Sequence, residues 1–186
     1  MSARVIDRTI RPLFNQAIRS EIQIVATVLA IGDDDPDVLG IIGASLALAV
    51  SDIPWHGPIG AVRIGRDRQT GAVLVNPNYS ARSENKLDFE VLACGKDGGI
   101  NMIETVADEV SESDMVSVLE AATKAHKILE DWQKQIVSEI GKEKRPEPAA
   151  DLPSSLTELF TTKFKQKLET VPVSYTHLTL PTKRIV

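Results

Sequence analysis

Few side chains in this sequence could do chemistry. His56 sits beside Trp55 in a loop, with no serine or cysteine placed to complete a triad, and a lone loop histidine usually packs or is solvated. Cys94, the one cysteine, has no C-x-x-C partner and falls in a strand pattern, as a buried structural thiol would. Asp88 and Glu90, two apart on a strand, share a face that either holds a divalent cation or lies open to solvent. Asp33, Asp34, Asp35 and Asp37 lack the spacing and terminal glutamate of an EF-hand, and with Pro36 they suit a helix N-terminus. Gly40, Gly43, Ala44 and Ser45 lie within the following helix rather than before it, so they allow close packing instead of cradling a phosphate. Arg4, Arg8, Arg11 and Arg19 make a basic opening with only Asp7 among them, read either as a binding face or as a solvated helix face.

The elements that must position these groups follow from periodicity. Residues 3–14 read as a short helix interrupted by Pro12, and 21–31 alternates and is β-branched, as a strand would be. A helix is predicted over 36–51, then a loop of breakers from Ile53 to Gly60, then a hairpin of 61–66 with 72–76. Residues 86–94 form a strand with Leu87, Phe89 and Val91 on one face; 100–106 form another after the Gly95–Gly99 turn. Ser111 opens a long amphipathic helix, with Asp114 placed for a capping box. Met115, Val118, Leu119, Ala122, Leu129, Trp132, Ile136 and Ile140 recur at helical spacing on its core face. A charged, proline-bearing linker spans 143–153, and a helical pattern resumes at 155–169. Strand, helix, antiparallel meander and long helix make an α+β order rather than a doubly wound parallel sheet.

Composition narrows the function classes. The chain has 186 residues, 42% hydrophobic and 25% charged, within the range of a globular domain. Its longest apolar stretch, Val38 to Val50, is too short to span a bilayer, and no signal-peptide pattern opens the chain. A single cysteine excludes an internal disulfide framework and fits a reducing, cytoplasmic setting. The net charge of −5 argues against a generic nucleic-acid binder.

Longer motifs go further. Residues 3–14, Ala-Arg-Val-Ile-Asp-Arg-Thr-Ile-Arg-Pro-Leu-Phe, resemble the A-R-L-I-D-R-P-[IL]-R-P-L-F motif of polynucleotide phosphorylases, departing mainly at Thr9, where the family has proline. Residues 21–28 resemble its N-E-V-Q-V-V-A-T-V strand. Asp35-Pro36-Asp37 with 42–48 resembles its helix entry, 53–61 its I-P-F-N-G-P-I-G-A loop, and Asn76-Pro77 and Lys86-Leu87-Asp88 two later motifs. The matches are collinear to about Leu129.

The resemblance implies an RNase PH-like core, incomplete at its N-terminus and followed by the start of an all-α domain. It divides the chain into a partial first core at 1–142, a linker at 143–153 and a helical segment at 154–171. Residues 173–182 match nothing in the family and resemble a translated sequencing adapter, so 172–186 is expected to be a non-native tail. The family degrades RNA from its 3′ end with inorganic phosphate as co-substrate. It uses magnesium, or manganese, in a second core and adds KH and S1 domains; its homotrimer encloses a channel for single-stranded RNA. The resemblance further implies a bacterial or organellar parent acting in mRNA degradation, with an RNA-degradation complex as a further partner and no membrane. In the second core a serine-rich turn and an Asp-Phe-Lys triplet hold phosphate and metal; here Asp35-Pro36-Asp37 and Asp88-Phe89-Glu90 stand in their places. Carboxylates repel phosphate, so no catalytic residue and no metal ligand is expected in this piece. Arg4, Arg8 and Arg11 are expected either to contact RNA or to hold the trimer together. A stand-alone RNA-binding module and a single-core RNase PH-like subunit are the alternatives, and the helical pattern after Ser155 disfavours the second.

Overall fold

The computed structural model describes residues 2–82, 86–148 and 152–169. They fall into two units, divided between Pro148 and Ala149. The expected tail at 172–186 lies outside the described residues.

In the first unit, helix α1 (Ser2–Ile10) ends where Pro12 removes a backbone donor, and a 3-10 turn over Arg11–Leu13 follows. The freed carbonyls find side-chain donors: Asn101 Nδ2 donates to Thr9 O (3.0 Å) and Trp55 Nε1 to Ile10 O (3.2 Å). Thr9 is fully buried and its hydroxyl donates to Val5 O at 2.8 Å.

Helix α2 (Pro36–Val50) starts as expected: Asp35 is its N-cap, accepting from Asp37 N at 2.8 Å, and Pro36 occupies the first turn. Its end is closed by Lys144, whose Nζ donates to the carbonyls of Leu48, Ala49 and Ser51. Residues 142–148 therefore dock on the first unit, which extends past 142 to Pro148.

Strands β1 (Gly60–Asp67), β2 (Val73–Val75), β3 (Leu87–Lys96) and β4 (Gly99–Ala107) form one antiparallel sheet in the order β2-β1-β3-β4, with a short helix α3 (Tyr79–Arg82) before β3. In β1 and β3 the pleat sends alternate residues to opposite faces. Ala61, Leu92 and Cys94 pack with α1 and α2, whereas Val62, Ile64, Phe89, Val91 and Ala93 pack with Val118 and Ala122 of helix α4 (Glu112–Ile140). The sheet is thus covered on both sides, in three layers. Gly60 lets α4 come close to the sheet, because a Cβ there would lie 2.6 Å from His126 Cα.

Three expectations change. Residues 21–31 form no strand: none of the four strands pairs with them, and Val25, Leu29 and Ile31 are 75%, 93% and 79% exposed. β-propensity alone leaves a row of backbone groups without a ladder, so the segment stays irregular. The small-residue stripe of α2 divides. Ala44 and Ser45 are buried, Gly40 meets Ile6 of α1, and Gly43 faces open space. Ser111 caps α4 through Asp114 N, but the Asp114 carboxylate turns to Arg66 at 3.0 Å instead of closing a capping box.

The second unit contributes α5 (Ser154–Leu159), which continues as a π-turn over Phe160–Phe164. Among the described residues no helix is long and apolar enough to cross a membrane.

Candidate functional site

Arg4 and Arg8 stand one turn apart on the exposed side of α1, and neither forms an ion pair among the described residues. Arg11 is exposed too, but its guanidinium holds Asp7 in a fork of 2.6 and 3.0 Å. So exposed a pair contributes little to stability and yields readily to another anion. Arg11 and Arg19 both border a concavity of about 320 Å³ with Asp7 and Phe14. The structure brings Arg11 and Arg19 together there and leaves Arg4 and Arg8 on the open surface.

His56 is exposed and faces Glu147 at 3.2 Å. Cys94 is fully buried under α1, and burial pushes its thiol up to about 11, as an inert structural cysteine requires.

Asp88 and Glu90 fit neither of the two readings offered by their spacing. Asp88 accepts from Arg66 Nε at 2.7 Å. Glu90 belongs to a five-member charge cluster built from four elements. Arg63 in β1 reaches Glu90 Oε1 at 2.6 Å and Asp35 Oδ2 at 2.8 Å, with Asp37 at 3.6 Å. Arg82, at the end of α3, grips Glu90 Oε1 at 2.8 Å and Asp35 Oδ2 at 2.7 Å, and its Nε donates to Glu90 Oε2. The side chains of Arg63 and Asp35 are each only 7% exposed. Two guanidinium groups against three carboxylates leave 2 − 3 = −1. Such a site repels phosphate, and its carboxylates are already committed to arginines. Among the described residues no group of three or more His, Cys, Asp or Glu side chains is arranged to hold a metal ion.

The chain's sequence places it among known proteins. Residues 1–54 match the 3′ exoribonuclease family, domain 1, the RNase PH model. The polyribonucleotide nucleotidyltransferase of Heliobacterium modesticaldum is 38% identical over 159 residues, 85% of this chain and 22% of that protein. The enzyme of the same name from Clostridioides difficile is 38% identical over 175 residues (91% and 24%), and that of Koribacter versatilis 45% over 146 (78% and 17%). The chain is similar to polyribonucleotide nucleotidyltransferases over most of its own length. It spans about a fifth of the length of the curated relatives it matches. The solved structure of rice (Oryza sativa) Rrp46 overlays with a TM-score of 0.49 at 18% identity, covering 57% of this chain and 49% of that one. Thr9, where residues 3–14 were expected to depart from the motif they resemble, donates its hydroxyl to Val5 O within the last turn of α1.

Sequence reasoning missed Arg63 and Arg82 altogether. The visible signal was an arginine inside the apolar run Ala61-Val62-Arg63-Ile64 of β1, which can be buried only with a partner.

Proposed function

We propose that this chain is part of a phosphate-dependent 3′-to-5′ exoribonuclease, a polyribonucleotide nucleotidyltransferase that acts in mRNA degradation in a bacterial or organellar cytoplasm. Its role there is non-catalytic: it lines the path of single-stranded RNA and scaffolds a homotrimer. Phosphorolysis, with inorganic phosphate as co-substrate and magnesium or manganese as the metal, belongs to a second core of the parent. Residues 1–142 are the partial first core, 143–153 the linker and 154–171 the start of the helical domain.

The observation that carries this reading is the Arg63–Arg82–Asp35–Asp37–Glu90 cluster. A phosphorolytic centre needs donors free to stabilise negative charge. Here the Nη groups of Arg63 and the whole Arg82 fork are spent on internal carboxylates, and the balance is negative.

Incubating the purified chain with poly(A), inorganic phosphate and magnesium tests it, with nucleoside diphosphates as the readout. No diphosphate release is expected, and phosphate-dependent release overturns the assignment. Arg4→Ala and Arg8→Ala in the parent test the RNA path. Each lost phosphate contact lowers the salt slope of RNA binding by about 1. An unchanged slope with a dissociated trimer assigns these arginines to the subunit interface instead.

A further inference from the structure

We propose that Arg63 and Arg82 form an oxyanion site that the protein keeps filled with its own carboxylates, Glu90 serving as a tethered ligand. The inference rests on the reading of this core as non-phosphorolytic and goes beyond it by naming the groups that would bind and the one that blocks them.

Both oxygens of Glu90 are taken by guanidinium nitrogens. Oε1 lies 2.6 Å from Arg63 Nη1 and 2.8 Å from Arg82 Nη2, and Oε2 accepts from Arg82 Nε. The Nε and Nη2 edge of Arg82 thus forms the two-pronged fork that recognises carboxylate and phosphate alike. Asp35 Oδ2 completes the bridge on the other side, 2.8 Å from Arg63 Nη2 and 2.7 Å from Arg82 Nη1. An independent observation points the same way. Arg63 is more than nine-tenths buried, its Nε has no hydrogen-bond partner among the described residues, and it borders a cavity of about 150 Å³ with Asp34, Asp35, Val38, Leu39, Asn76 and Pro77. A buried guanidinium donor left unpaired beside a void is costly unless the site is held open for other reasons. The arginines are fixed by β1 and α3, so removing the Glu90 carboxylate leaves aligned donors rather than a collapsed gap.

Charge sets the ligand class. The native cluster sums to −1 and excludes anions. Glu90→Ala gives 2 − 2 = 0, and Glu90→Ala with Asp35→Asn gives 2 − 1 = +1. A small oxyanion then fits the vacated fork, and inorganic phosphate is the probe.

Phosphate is titrated into the full chain at constant ionic strength, balanced with chloride. Heat and the Arg63 and Arg82 Nε–H resonances are followed together. The unsubstituted chain should show no saturable response. Glu90→Ala should bind saturably, the double variant at least about tenfold more tightly because one nearby negative charge is gone. Adding Arg82→Ala should abolish the response. If the double variant unfolds, phosphate at tens of millimolar must restore its circular dichroism. Absence of binding in folded variants, or of rescue in unfolded ones, overturns the tethered-ligand inference alone. Saturable, Arg82-dependent phosphate binding by the unsubstituted chain overturns both it and the non-catalytic reading.

Discussion

Gln133→Leu tests the polar knot that joins α2, the loop before β1 and α4. Ser45 Oγ donates to Gln133 Oε1 at 2.7 Å and accepts from Ile59 N at 3.0 Å, while Gln133 Nε2 donates to Ile59 O at 2.8 Å. Ser45, Ile59 and Gln133 are all fully buried. Leucine nearly conserves volume, so the loss is polar rather than steric. It strands the Ile59 carbonyl and the Ser45 hydroxyl proton, and an orphaned buried group costs about 1–3 kcal/mol. The serine can partly recover by turning to a carbonyl of its own helix, and leucine adds some apolar burial. A net loss of roughly 2–4 kcal/mol remains. Ser45→Ala strands the Ile59 N–H and Gln133 Oε1, and should cost a similar amount. The double variant should cost less than the sum, by about 0.5–3 kcal/mol, because each single change already destroys the bond they share. Urea denaturation measures the totals, and amide exchange at Ile59 reports whether the loop loosens first. A Gln133→Leu chain within about 0.5 kcal/mol of the original, or strict additivity in the double variant, refutes the reasoning.

His126 is buried, its Nε2–H donates to Ala93 O at 2.9 Å, and Nδ1 has no partner among the described residues; burial lowers its pKa below 6.5. The unfolded chain then binds the proton more readily. Stability should be full above pH 6.5, fall as pH drops toward the depressed folded value, and do so less steeply in His126→Gln, by denaturation across a pH series. Cys94, with its thiol near 11, should react with a disulfide reagent only at the rate of unfolding; rapid labelling at neutral pH of the native chain would contradict its burial. Arg63→Met should destabilise by about 3–5 kcal/mol, since it leaves three carboxylates facing one arginine; a neutral result in urea would mean the cluster is solvated. Val25→Ser with Leu29→Ser should lower binding of a hydrophobic dye without changing the circular dichroism, as both side chains are exposed outside the sheet.

Local signals determined much of this protein. Asp35 and Pro36 start α2, Ser111 starts α4, and the alternation of Leu87 to Val91 placed Phe89 and Val91 on the core face, because caps and pleats depend on residues a few positions apart. The collinear motifs carried the resemblance to polynucleotide phosphorylases on sequence alone, and the relatives of 38% identity bear that similarity out. Long-range partners decided the rest. The apolar period of α4 pointed to Trp132 and Ile140 as core, yet both are exposed, at 46% and 65%. The buried stripe in that half of the helix is His126, Glu130 and Gln133, since it crosses strand ends and loops whose backbone groups need polar partners: Ala93 O, Asp97 N and Ile59 O. Residues 21–31 read as a strand, but a strand exists only where a neighbour completes its ladder, and none of the described strands does. The charge cluster was equally out of reach. Asp35 and Arg63 lie 47 and 19 residues from Arg82, and only the pairing of β1 with β3 and the docking of α3 bring these charges and Glu90 within 3 Å.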